Sequence, residues 1–245
     1  MLVRARPRFA SNLLLALGAW GGLSCSSPSA PEGTENAAGG GSCASPAGTK
    51  NPTSIVEVVD TLNAMPKPVD LPCFVQHLAG PLAIDATMSN LSLQPAAGRR
   101  NPRLFILLDP LIVSMVPEGV GRDLLEMGER RGETRSLKGE IVFPVTTQLE
   151  RASPFEHVMF SPGLTSCAFC HGSEAPAADI SYTAAFESEA FRPVPSNRVG
   201  LDELRAELAA CDAKAEPYRC SLLSALFNRE AVTARELPES FAIFR

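Results

Sequence analysis

The chain has 245 residues, 45% of them hydrophobic, with 22 Lys+Arg against 27 Asp+Glu. A net charge of −5 and the absence of any basic run exclude the electrostatic footprint of a nucleic-acid binder. The apolar fraction suffices for a packed core, and the length allows one large domain or two small ones.

At the N-terminus, Arg4, Arg6 and Arg8 precede an apolar run over 13–23 that contains Trp20. The run is shorter than the roughly 20 residues a spanning helix needs, so residues 1–24 read as a secretory signal peptide. It ends at Gly22-Leu23-Ser24-Cys25. These residues resemble a bacterial lipoprotein cleavage site, with the leucine one place closer to the cysteine than that family's pattern. The resemblance implies cleavage before Cys25, acylation of Cys25 and a lipid anchor in the membrane. Ser26 in place of an aspartate implies the periplasmic face of the outer membrane in the bacterial cell envelope. The alternative is an ordinary signal peptide with a coincidental cysteine, which leaves the protein in the periplasm. Residues 25–52 are rich in Gly, Ser, Ala and Pro, with Gly39-Gly40-Gly41-Ser42 near the centre, and read as a flexible tether.

Thr53 or Ser54 can cap a short helix through Ile55, Val58, Val59 and Leu62, ending before Pro66, and 72–78 suggests another. From 82 to 150 the pattern changes to short apolar or β-branched runs: 82–84, 104–108, 111–113 and 140–143. Turn residues such as Asp109-Pro110 and Pro117-Glu118-Gly119 separate them. This predicts a small, mostly antiparallel sheet. Residues 124–131 fit either helix or strand, and the strand is preferred because Gly121 and Gly128 disfavour helix. Residues 53–150 thus read as a β-rich domain with no role of its own legible. Residues 151–245 read as a mainly helical region ending in a helical hairpin. Leu201, Leu204, Leu208 and Cys211 recur at helical spacing, as do Cys220, Leu223 and Phe227, across a polar link at 212–216. In the tail 236–245, Phe241 and Ile243 alternate as in a strand or a packed extended end. The expected class is α+β: the sheet region, a motif-bearing segment, then the hairpin.

The motif is Cys167-Ala168-Phe169-Cys170-His171. Two cysteines separated by two residues lie on one side of a single turn, and the next residue brings an imidazole beneath them. This is the attachment sequence for c-type haem, in which the thiols add to the two vinyl groups and the histidine ligates iron. Through this motif the chain resembles a mono-haem c-type cytochrome. The resemblance implies one covalent haem c on Cys167 and Cys170, with His171 as proximal iron ligand. It also implies a role in electron transfer with a redox partner protein. Two other chemistries stay open. A thiol-redox Cys-x-x-Cys belongs between a strand and a long helix. Here Ser161-Pro162-Gly163 precedes the motif and Gly172-Ser173-Glu174-Ala175-Pro176 follows it. Structural zinc takes four ligands, usually as two short pairs, and no second Cys-x-x-Cys occurs.

The small soluble cytochromes supply a methionine sixth ligand after the motif, whereas here neither histidine nor methionine follows His171. A distal ligand of either type must come from upstream. The near candidates are His157 or Met159, which share one face if 155–163 is extended. His77 is a remoter candidate, and an open sixth position is the remaining alternative. His157 is preferred over Met159, since an imidazole in a turn is harder to explain as packing than a methionine among phenylalanines. No triad-like spacing, phosphate loop or carboxylate cluster marks a catalytic residue. An electron carrier is therefore the leading expectation over a catalyst. The alternatives are a haem-based peroxidase or sensor with an open sixth iron position, and a non-haem envelope binding protein with an oxidised CxxC.

Of seven cysteines, removing Cys25, Cys167 and Cys170 leaves Cys43, Cys73, Cys211 and Cys220. An even remainder in an oxidising compartment predicts two disulfides. In the helical hairpin the last apolar position of one helix meets the first of the next, which pairs Cys211 with Cys220. Cys43–Cys73 follows by elimination.

Overall fold

Helix α1 (Ile55–Ala64) begins where Ser54 accepts the Glu57 N–H at 3.1 Å. The Glu57 carboxylate turns back to accept the Thr53 N–H at 2.6 Å and its hydroxyl at 2.9 Å. Ile55, Val58, Val59 and Leu62 then fall on one buried stripe. Helix α2 (Leu71–His77) is capped by Asp70, which accepts the Cys73 N–H at 2.6 Å, and buries Leu71, Phe74 and Val75. The computed structural model describes residues 43, 48–229 and 231–243, all within one compact unit. Residues 1–24, expected to be a signal peptide, the lipidation candidate Cys25 and most of residues 26–52 lie outside the described residues.

Strands β1 (Leu82–Thr87), β2 (Arg103–Leu107), β3 (Leu111–Met115), β4 (Leu124–Arg131) and β5 (Arg135–Val142) form an antiparallel meander. After it come α3 (Ser153–His157) and a small hairpin of β6 (Met159–Ser161) and β7 (Leu164–Thr165). A 3-10 turn at Ser166–Phe169 follows. Strands β8 (Ala175–Pro176) and β9 (Phe186–Glu189) return to the sheet, with β9 antiparallel to β5. Next are β10 (Phe191–Arg192), α4 (Leu201–Ala209) and α5 (Pro217–Phe227). Strand β11 (Val232–Ala234) lies parallel to β1, and β12 (Ala242–Ile243) lies parallel to β10. The main sheet runs β11-β1-β2-β3-β4-β5-β9-β8. The fold is α+β, a large and mostly antiparallel sheet with helices.

The sheet is wider than the small one expected, and it does not stop at residue 150. Strands β8, β9 and β11 come from the stretch read as mainly helical. They are 2, 4 and 3 residues long, too short for alternation to rise above a loop pattern. The segments on either side of residue 150 therefore share one sheet and one core.

Alternation gives the sheet two unlike faces. One presents Ile84, Leu104, Ile106, Val113, Leu125, Leu137 and Ile141 to the buried faces of α1, α2 and α5. On the other, a smaller cluster of Leu107, Ile112, Ala190, Leu237 and Phe241 forms where the C-terminal tail crosses the sheet. At the C-terminal end, Cys211 and Cys220 are bridged with Cα atoms 5.7 Å apart, tying α4 to α5. Arg219, 2% exposed, donates to Asn101 Oδ1 at 2.7 Å, Arg100 O at 3.1 Å and Glu207 Oε2 at 2.6 Å. Full pairing makes this buried guanidinium a clamp between the helices and the 99–101 loop. Cys43 and Cys73 are also bridged, fastening the chain ahead of α1 to α2.

Gly139 on β5 is where two helices close on the sheet. A Cβ there would sit 3.2 Å from Ile55 Cγ2 and 3.2 Å from Pro154 Cβ. Gly139→Val should cost about 1–3 kcal/mol in urea unfolding through overpacking. A variant as stable as the parent would contradict the close approach of α1 and α3 to β5.

Candidate functional site

The cysteine motif is built on a buried threonine. Thr165 ends β7, and its hydroxyl accepts the Cys167 N–H at 3.1 Å, starting the 3-10 turn. The Glu174 carboxylate accepts the Thr165 N–H at 2.9 Å and also bonds its hydroxyl. Within the turn, Cys167 O accepts from Cys170 N at 3.1 Å and from His171 N at 2.8 Å. Gly172 O then accepts the Glu189 N–H at 3.1 Å, sewing the segment to β9. Cys167, Cys170 and His171 all line one cleft on the second face of the sheet. Both cysteines carry free thiols, unlike the four bridged ones.

His171 Nδ1 lies 2.6 Å from Glu189 O. A carbonyl oxygen only accepts, so Nδ1 carries the proton. Burial, reinforced by the nearby Lys138 ammonium, depresses the imidazole to about 3, which keeps the ring neutral at physiological pH. Nε2 is then the nitrogen with a free lone pair. The Phe191 ring packs against the imidazole with centroids 5.1 Å apart.

Lys138 on β5 approaches from the floor. It donates to Ser136 Oγ at 2.7 Å and contacts Glu189 O at 3.5 Å and His171 Nδ1 at 3.4 Å. Since Nδ1 already bears a hydrogen, the last contact is not a donor–acceptor bond. Lys138 is 8% exposed, and among the described residues no carboxylate lies within ion-pair distance of it. Burial accordingly lowers its ammonium to about 8. Burial also pushes the Cys167 thiol up to about 11, a shift that Lys138 partly offsets. Beside them, Arg103 is bonded to Ser92, Ser114 and Glu126.

No protein-family model, curated protein or solved structure matches this chain. The site is therefore read from its own chemistry. It offers two sulfurs able to form thioethers and one neutral nitrogen donor on a single turn. The cleft holds about 1210 Å³ of space, counted out through its solvent-open mouth. Leu91 and Leu93 stand at its edge, 51% and 54% exposed, and Phe105 and Phe191 line it deeper in.

None of the distal candidates lines this cleft. Pro154 starts a helical turn, so the chain is helical up to His157 and not extended there. His157 Nδ1 lies 2.8 Å from Glu140 Oε1, and Met159 lies on β6. The residue between them, Val158, is the one that lines the cleft. His77 ends α2, in the helical layer. Sequence reasoning missed Lys138, Thr165 and Glu174, and it read the acids Glu187 and Glu189 as a solvated face, whereas Glu187 pairs with Arg135 and Glu189 O meets His171. Alternation on β5 places Ser136, Lys138 and Glu140 on one face, and only the long-range pairing with β9 brings that face to the motif.

With both thiols free, Cys167 should alkylate slowly at pH 8, with a rate that climbs towards pH 11. Mass mapping after timed iodoacetamide treatment measures this. A midpoint at or below the ordinary thiol value of about 8.5 would mark Cys167 as an activated redox thiol.

Proposed function

We propose that this chain is a covalent haem c protein of the bacterial cell envelope that acts in electron transfer. Cys167 and Cys170 hold the haem, and His171 is the proximal iron ligand. The observation that carries this reading is the arrival of two free thiols and a neutral, Nδ1-protonated imidazole at one cleft on one turn. Haem supplies a one-electron couple at iron. The chain does the rest. The thiols fix one edge of the macrocycle, and His171 ligates through Nε2. Glu189 O, by accepting the Nδ1 proton, fixes the tautomer and orientation of the imidazole. The exposed leucines at the mouth provide apolar surface for a flat apolar group to cover.

Phe169 lies inside the motif, 60% exposed, and packs edge-on to Phe160 with centroids 5.0 Å apart. The attachment edge is thus near the surface, where a redox partner protein can approach. The export signal, the lipoprotein-like Cys25 and two disulfides support an oxidising compartment, with the lipid on Cys25 as membrane anchor. The free thiols and the raised Cys167 pKa count against an oxidised or activated Cys-x-x-Cys.

Intact-mass analysis of protein exported together with haem-attachment machinery tests the proposal. The wild-type chain should gain the mass of one haem. Cys167→Ser or Cys170→Ser should lower the loaded fraction, and the double variant should abolish it. A wild-type chain that stays unloaded, while a control cytochrome in the same cells is loaded, contradicts the proposal.

A further inference from the structure

We infer that the haem iron in this cleft has no protein side chain as its sixth ligand, leaving that position open to a small ligand from solution. The inference rests on the haem reading above and concerns the side of the ring opposite His171. It follows from an accounting of every side chain that commonly fills that position. A side-chain sixth ligand is usually an imidazole or a thioether, less often an amine, thiolate or phenolate, and it must reach the cleft. Cys43, Cys73, Cys211 and Cys220 are bridged, Tyr218 bonds Arg122 O and Tyr182 stacks on Phe155.

The sequence holds three histidines and six methionines. Besides His171, His77 ends α2 in the helical layer. His157 is helical, hydrogen-bonded to Glu140 and separated from the cleft by the register of Val158. Met65 and Met115 are buried in the core on the opposite face of the sheet, and Met127, though its strand borders the cleft, alternates with Glu126 and packs into that same core at 3% exposure. Met88 packs against that same core, with its sulfur 3.7 Å from Arg99. Met159 is on β6 and does not line the cleft. Outside the described residues the sequence adds Met1 and no histidine.

The amine is accounted for too. Lys138 is the lysine of the cleft, and it lies against Nδ1, on the proximal side of the imidazole. It cannot also stand opposite Nε2. The carboxylates of the floor are engaged elsewhere, Glu126 with Arg103 and Glu140 with His157. Leu91 and Leu93 stand exposed at the mouth, and Arg103 and Arg192 also line the cleft.

The test uses haem-loaded full-length protein whose mass shows one attached haem, so a failure to load haem, which defeats the function proposal, is seen first and separately. Carbon monoxide is the probe. The ferric protein should be high-spin by electron paramagnetic resonance. The dithionite-reduced protein should bind carbon monoxide rapidly in a single phase. His157→Ala and Met159→Ala should leave both signatures unchanged. The inference is overturned if the loaded wild type is low-spin in both oxidation states and does not bind carbon monoxide. It is equally overturned if either substitution converts a low-spin protein to a high-spin, carbon-monoxide-binding one.

Discussion

Strand β5 is used on both faces, and the rest of the structure depends on that. Its odd positions, Leu137, Gly139 and Ile141, face the helical core. Its even positions, Ser136, Lys138 and Glu140, face the cleft. On one edge it pairs with β4 along its whole length, and on the other it receives β9. The pairing with β9 is what places Glu189 under the motif. Because side chains alternate with a period of two, a one-residue slip of β5 would send Lys138 into the core and leucine into the cleft. The core therefore sets the register, and the register sets the cleft floor.

Electrostatics in the cleft follow from burial. An ammonium, an imidazole and a thiol crowd together with little access to water, and each shifts towards its neutral form. Lys138 and His171 cannot both be cations at this distance, and the imidazole yields because burial and the Lys138 ammonium lower its pKa further than the hydrogen bond to Glu189 O raises it. The result is a neutral nitrogen donor of fixed tautomer. Lys138 adds a positive charge behind that donor. Under the proposed function, such a charge disfavours the oxidised iron relative to the reduced one, whereas the hydrogen bond to Glu189 acts the opposite way.

Much of the scaffold was legible in the sequence. The stripe Ile55, Val58, Val59 and Leu62 and its Ser54 cap announce α1, and the turn residues announce the meander. The spacing around Cys211 and Cys220 is that of two helices meeting at a bridge. What escaped was nonlocal. Strands of two to four residues such as β8, β9 and β11 have no periodic signature, and long-range pairing alone makes them strands. Of the site, Cys167, Cys170 and His171 were legible as a spacing. The partners Lys138 and Glu189 were not, since alternation tells which residues share a face and not which face is later covered. At His157 and Met159 the alternation argument met a helical turn set by Pro154, and Val158 took the cleft side.

The pyridine haemochrome spectrum of the exported wild-type protein, after exhaustive extraction with acidified acetone, tests the central claim most directly. The account predicts that haem stays with the polypeptide, with the α-band of a porphyrin whose two vinyl groups are saturated, at one haem per chain. Haem that leaves with the solvent, or a spectrum with an intact vinyl group, would contradict attachment through both Cys167 and Cys170.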